Sequence, residues 1–209
     1  MGLSARRRGL MGQESGGESR LPSGYQEVEW VGISTSKGKA LAAIDLGIIP
    51  TTDTLRVVCD FKPTYTGSKG NLTLGTGDAP YFQLYQASGK LYFRYGSASA
   101  VVLLSSYTLD WYSLELGSKM YVDGTLISTK TGDFSSNTQS IKLFSHPSYG
   151  DASGRYKEIF VYDDATLVAD CVPCYRESDG RKGFYDLIGS EFHTNDGGAV
   201  DDLVKRANV

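Results

Sequence analysis

Thr54-Leu-Arg-Val-Val-Cys-Asp-Phe-Lys62 puts Leu55, Val57, Cys59 and Phe61 at alternate positions, with Arg56, Asp60 and Lys62 between them. Successive side chains of an extended strand point to opposite faces, so this is the pattern of a strand with one face in a core and one in water. The same period of two recurs in Gln26-Glu-Val-Glu-Trp30, where Val28 and Trp30 are expected inward, and in Tyr112-Ser-Leu-Glu-Leu116. Further strands are expected at 71–76, 101–104, 139–144, 156–162 and 167–172. No segment of helical period separates them, which predicts an all-β fold of two antiparallel sheets rather than an α/β sheet. The 25 glycines and 14 tyrosines suit that fold, because glycine supplies turns and tyrosine favours the pleat.

A chain of 209 residues that is 40% hydrophobic can bury one sizeable core, and a single domain is expected. It divides into an arm at 1–20, a body at 21–198 and a tail at 199–209. The arm is rich in glycine, serine and charge and has too little apolar surface to offset its own ordering entropy. One reading makes it a frayed terminus. The other makes it an anchor, with Arg6, Arg7 and Arg8 forming bidentate bonds to carboxylates on a partner. The net charge of −3 gives no field for nucleic acid or an anionic membrane, and no run of about 18 apolar residues occurs. The residues after Arg8 are too polar for the core of a signal peptide, and three cysteines do not make a disulfide scaffold, so synthesis in a reducing cytosol is expected.

Two hairpins can be placed in register. Asp123-Gly124 lies between apolar runs and suits a type I′ turn, whose central residues both need positive φ. A two-residue turn at Ser88-Gly89 would pair Tyr85 with Tyr92, Leu84 with Phe93, Gln83 with Arg94 and Phe82 with Tyr95. Phe82, Leu84, Leu91 and Phe93 then point one way, into the core. Tyr81, Gln83, Tyr85, Tyr92 and Arg94 point the other. Flat aromatic surface beside amide and guanidinium donors is what binds sugars, so these five residues form a candidate glycan platform. The alternative is that they cover the sheet or meet a neighbouring subunit.

No catalytic constellation emerges. Glu27 and Glu29 share a face but read as solvated strand charges, without a further carboxylate in register for glycoside hydrolysis. Asp163-Asp164 is expected in a turn, with calcium binding there the lesser reading. His146 and His193 have no nucleophile elbow nearby and are expected to be exposed. Cys171-Val-Pro-Cys174 lacks the second ligand pair of a structural zinc site and the βαβ setting of a redox motif. Packing roles are expected for Cys59 and Cys171, and no metal or cofactor is assigned.

Residues 165–195, which contain Leu167-Val-Ala-Asp-Cys-Val-Pro-Cys-Tyr-Arg-Glu-Ser-Asp-Gly180 and Gly183-Phe-Tyr-Asp-Leu187, resemble the C-terminal signature of concanavalin A-like (laminin-G-like) jelly-roll proteins of tailed bacteriophages and prophages. Leu21-Pro-Ser-Gly-Tyr-Gln-Glu-Val-Glu29 resembles that group's opening, and Tyr121-Val-Asp-Gly124 after Trp111 is similar to a laminin-G-like hairpin. Ser34 to Gly47 keeps only the outline of the group's next stretch, and Cys171 stands where the group has an aromatic. The resemblance implies a concanavalin A-like jelly roll acting as a non-enzymatic phage virion protein on the head or tail surface. It would be made in the host bacterial cytoplasm and held by its arm or by self-assembly. Its implied partners are other virion proteins, further copies of itself, and bacterial surface or mucus glycans bound weakly, with avidity from many copies. The alternatives are a free carbohydrate-binding module and a jelly-roll glycoside hydrolase.

Overall fold

The computed structural model describes residues 19–33, 43–64, 71–97, 99–144 and 154–195, and the backbone of 204–207. The chain starts in one sheet with β1 (Tyr25–Ile33), crosses to a second with β2 (Ile44–Asp45) and returns with β3 (Leu55–Lys62). It crosses again for a meander of β4 (Asn71–Gly75), β5 (Tyr81–Ala87), β6 (Lys90–Gly96) and β7 (Ala100–Leu104). It comes back for β8 (Tyr112–Leu116), β9 (Lys119–Val122) and β10 (Thr125–Thr129), and adds β11 (Lys142–Leu143) to the second sheet. The first sheet is completed by β12 (Gly154–Asp163), β13 (Thr166–Arg176), β14 (Lys182–Asp186), β15 (Glu191–Thr194) and β16 (Val204–Ala207).

The larger sheet runs β10-β9-β8-β3-β12-β1-β13-β14-β15 with β16 on β1, and the smaller runs β2-β11-β4-β5-β6-β7. All strand pairs are antiparallel. An Ile44–Asn195 bridge joins the sheets along one side, where β2 meets β15, leaving β7 and β10 as the edges on the other. The protein is a jelly-roll sandwich of two antiparallel sheets, as the alternating runs predict.

The core lies between the sheets. Leu55, Val57, Cys59 and Phe61 of β3 and Tyr156, Ile159 and Val161 of β12 face Leu74, Phe82, Leu84, Leu91, Phe93 and Tyr95 of the smaller sheet, all of them buried. Both predicted hairpins form in the predicted register. Ser88 and Gly89 have φ of 51° and 71°, Asp123 and Gly124 have 49° and 78°, and Tyr85 lies opposite Tyr92. A φ in this region is strained for most side chains and tolerated by glycine and by short polar residues, which explains the residue types at these turns.

Three expectations are corrected. Val28 is inward, but the next inward residue of β1 is Val31, opposite Tyr156; the ladder shifts register between Val28 and Trp30. Such an irregularity turns the following side chains over, so Trp30, although only 8% exposed, is buried outside the main core, with the Arg155 guanidinium 4.1 Å from its ring. The strand expected at 139–144 contracts to Lys142–Leu143, because the Asn137 side chain binds the Pro50 carbonyl at 2.8 Å and Gln139 at both its carbonyl and its amide. His193 is only 8% exposed, on β15 opposite Phe184.

The C-terminal signature is β13 and the hairpin β14–β15. Its polar residues close turns. The Asp186 carboxylate accepts from the amides of Asp170, Ile188 and Gly189 at 2.9–3.0 Å, and Asp179 accepts from Arg176 and from the Arg181 amide.

Candidate functional site

The outward face of β5 and β6 brings the five platform residues together, but not as an open flat patch. The Tyr85 and Tyr92 rings are parallel within 8° with centroids 5.1 Å apart. Two rings lying side by side in one plane cannot come so close. At a contact spacing of about 3.5 Å the two planes overlap with a slide of about 3.7 Å. The Arg94 guanidinium carbon sits 4.9 Å from the Tyr85 ring and 5.2 Å from the Tyr81 ring. Along the face the order is therefore Tyr81, Arg94, Tyr85, Tyr92, a ladder in which the cation and the rings occupy one another's faces. Among the described residues, no ring or cation covers the second face of Tyr92, whose neighbour on β7 is the exposed Val102.

Gln83 takes a different part from the expected one. It is only 2% exposed, and its amide donates to the carbonyls of Thr76 at 2.7 Å and Gly77 at 3.0 Å. With the nitrogen so held, its oxygen faces across the strand pair and accepts from the Arg94 guanidinium at 3.3 Å. Gln83 is thus a support for Arg94, since the segment after β4 seals it from ligand.

The other singled-out groups are spent on structure. Glu27 is 3.5 Å from Arg20, and Glu29 is 3.8 Å from Lys157. Asp163 lies in β12, with the turn at Asp164-Ala165, and accepts from the hydroxyls of Thr52 and Thr54. Cys171 belongs to the main core and Cys174 to a smaller cluster with Leu21 and Val172. Residues three apart on a strand face opposite ways, so this pair cannot close on a metal or a disulfide. Burial pushes the Cys174 thiol up to about 12 and that of Cys171 well above its ordinary value. Cys59 is buried in the main core, as expected. Arg6, Arg7, Arg8 and His146 lie outside the described residues.

One cluster carries no sequence signal. Arg20 reaches over the larger sheet to Glu158 at 2.6 Å while Leu21 packs into the smaller cluster. Next to Glu158 stands Asp170, one of whose carboxylate oxygens is buried with no hydrogen bond from the described residues. Burial first, and then the Glu158 charge, raise its carboxyl to about 6, against the opposing pull of Arg20. The two carboxylates come from β12 and β13, and only the register brings them together.

No family model and no curated protein sequence matches the chain. Among solved structures it is similar to a heptameric SAP-like pentraxin from Limulus polyphemus, with a TM-score of 0.54 and 12% identity over 87% of this chain and 95% of that one. A carbohydrate-binding module, the CBM40 of a Ruminococcus gnavus IT-sialidase, aligns with a TM-score of 0.45 and 17% identity over 71% of this chain and 94% of the module. The pentraxin likeness identifies the fold, a jelly-roll β-sandwich.

Proposed function

We propose that this chain is a non-catalytic carbohydrate-binding jelly roll. The observation that carries this reading is the outward ladder on the smaller sheet, where among the described residues no ring or cation covers the second face of Tyr92, and where Tyr81, Tyr85 and Gln83 fix a guanidinium further along the ladder. A pyranose ring stacked on the second face of Tyr92 would lie two rings along the ladder from Arg94, so a chain of sugars running along the face would meet the aromatic surface at one end and the guanidinium further on. The non-catalytic part is supported by the ion-paired state of Glu27 and Glu29, the two carboxylates that share a strand face. The test is a tetramerised sample on an array of bacterial surface and mucus glycans, beside a reducing-sugar assay on the same polysaccharides. Saturable binding without sugar release is expected. Sugar release would replace the reading with a hydrolase, and no binding at all would leave the ladder as cover for the sheet.

A virion setting is supported by the sequence string that forms β13, β14 and β15. In it, weak contacts would be multiplied by the number of copies on a particle. Mass spectrometry of purified phage particles checks it, and absence of the chain from particles favours a free module.

A further inference from the structure

Resting on the carbohydrate reading of the same face, we infer that the sugar it selects carries a carboxylate. Arg94 is fixed from three sides, by the rings of Tyr81 and Tyr85 and by the Gln83 oxygen, which the Thr76 and Gly77 carbonyls orient. Arg94 is part-buried, and among the described residues no carboxylate bonds to it. Asp78, in the segment that covers Gln83, is itself taken by Gln139 at 3.2 Å. Among the described residues the buried Arg94 Nε–H has no acceptor, and one terminal nitrogen is partly used by Gln83. The donors left are one N–H on that nitrogen and both on the other, which together form the end-on fork that matches the two oxygens of a planar carboxylate. On the β7 side the residue opposite Arg94 is Ala100, whose methyl leaves that flank of the fork open. A charge held this rigidly, with no carboxylate on it among the described residues, is arranged for an anion that arrives with the ligand; a neutral sugar would leave it unpaired.

The measurement compares binding of a uronic acid oligosaccharide, tetragalacturonate, with its methyl ester, which keeps the rings and removes the charge, on an array that also carries neutral glycans. The acid should bind at least tenfold more tightly than the ester, with an affinity that falls as salt rises. Arg94→Gln should abolish that preference, and Arg94→Lys should lose most of it by removing the fork while keeping the charge. Ala100→Glu should do the same by supplying a carboxylate from the edge strand, without altering any residue of the ladder; an unchanged thermal midpoint shows it is folded. Equal binding of acid and ester, or binding of neutral glycans only, lost in Tyr92→Ala but not in Arg94→Gln, would overturn the carboxylate inference and leave the carbohydrate reading standing. Binding to nothing on the array overturns both.

Discussion

Replacing Asp170 by asparagine should stabilise the protein at alkaline pH. In the folded state the Asp170 carboxyl is raised to about 6 by burial and by Glu158, so the native protein holds that proton more tightly than the unfolded chain. The stability this provides is fully present below the ordinary aspartate range near 4 and is lost as pH rises through about 6. Above that, folding must carry two neighbouring carboxylates, with Arg20 bonded to Glu158. A rise of about two units corresponds to roughly 3 kcal/mol at most. The group is partly open to water, and screening reduces this to about 1 kcal/mol. Asparagine keeps the shape, removes the second charge and can donate to Glu158. Thermal unfolding of both proteins from pH 4 to 8 should show the variant about 2–4 °C more stable at pH 8, with the gap closing towards pH 4. Carboxylates that do not neighbour Asp170 contribute equally in both proteins and cancel in the difference. A gap that does not change with pH, or a variant less stable at pH 8, would refute the assignment of the strain to this pair.

Cys59→Ser should cost about 1–3 kcal/mol by burying a poorly satisfied hydroxyl, with Cys59→Ala costing less, while a chelator or a reductant leaves the midpoint unchanged; a shift with either reagent would show that the cysteines do more than pack. Deleting residues 1–18 should leave the midpoint unchanged, whereas deleting 1–20 also removes the Arg20 bridges and should lower stability by up to about 1 kcal/mol. If the arm is the anchor, both deletions lose incorporation into particles, and full incorporation would remove that role from Arg6, Arg7 and Arg8.

Local rules made much of this fold legible. The alternation in Thr54 to Lys62 names its buried face correctly, and the Ser88-Gly89 turn sets seven cross-strand pairs in register, from Tyr81 opposite Gly96 to Ala87 opposite Lys90. Register tells which side chains share a face, but not how their rings are turned. That is why Tyr85 and Tyr92 could be paired and yet not be seen to stack on each other. Gln83 was misjudged because a residue's exposure depends on what lies over it, here Thr76 and Gly77 from the preceding segment. Trp30 was misplaced because a single shift in a ladder leaves the sequence alternation intact while turning the strand over. The Glu158–Asp170 pair needs the β12–β13 register before either residue attracts notice. The C-terminal string, the most distinctive stretch of the sequence, encodes turns and strand pairing, so its information is about the fold more than about a ligand.

The carbohydrate reading is tested most directly by mapping where a bound glycan perturbs the protein. Backbone amide and Arg Nε–H resonances, followed while an array-selected glycan is titrated in, should shift at Tyr81, Tyr85, Tyr92 and Arg94 and along β7 near Ala100 and Val102. The outward face of the larger sheet should stay still. Shifts confined to that larger sheet, or to the edges at β7 and β10 as protein concentration rises, would place the binding surface elsewhere and reduce the tyrosine–arginine ladder to a cover for the sheet.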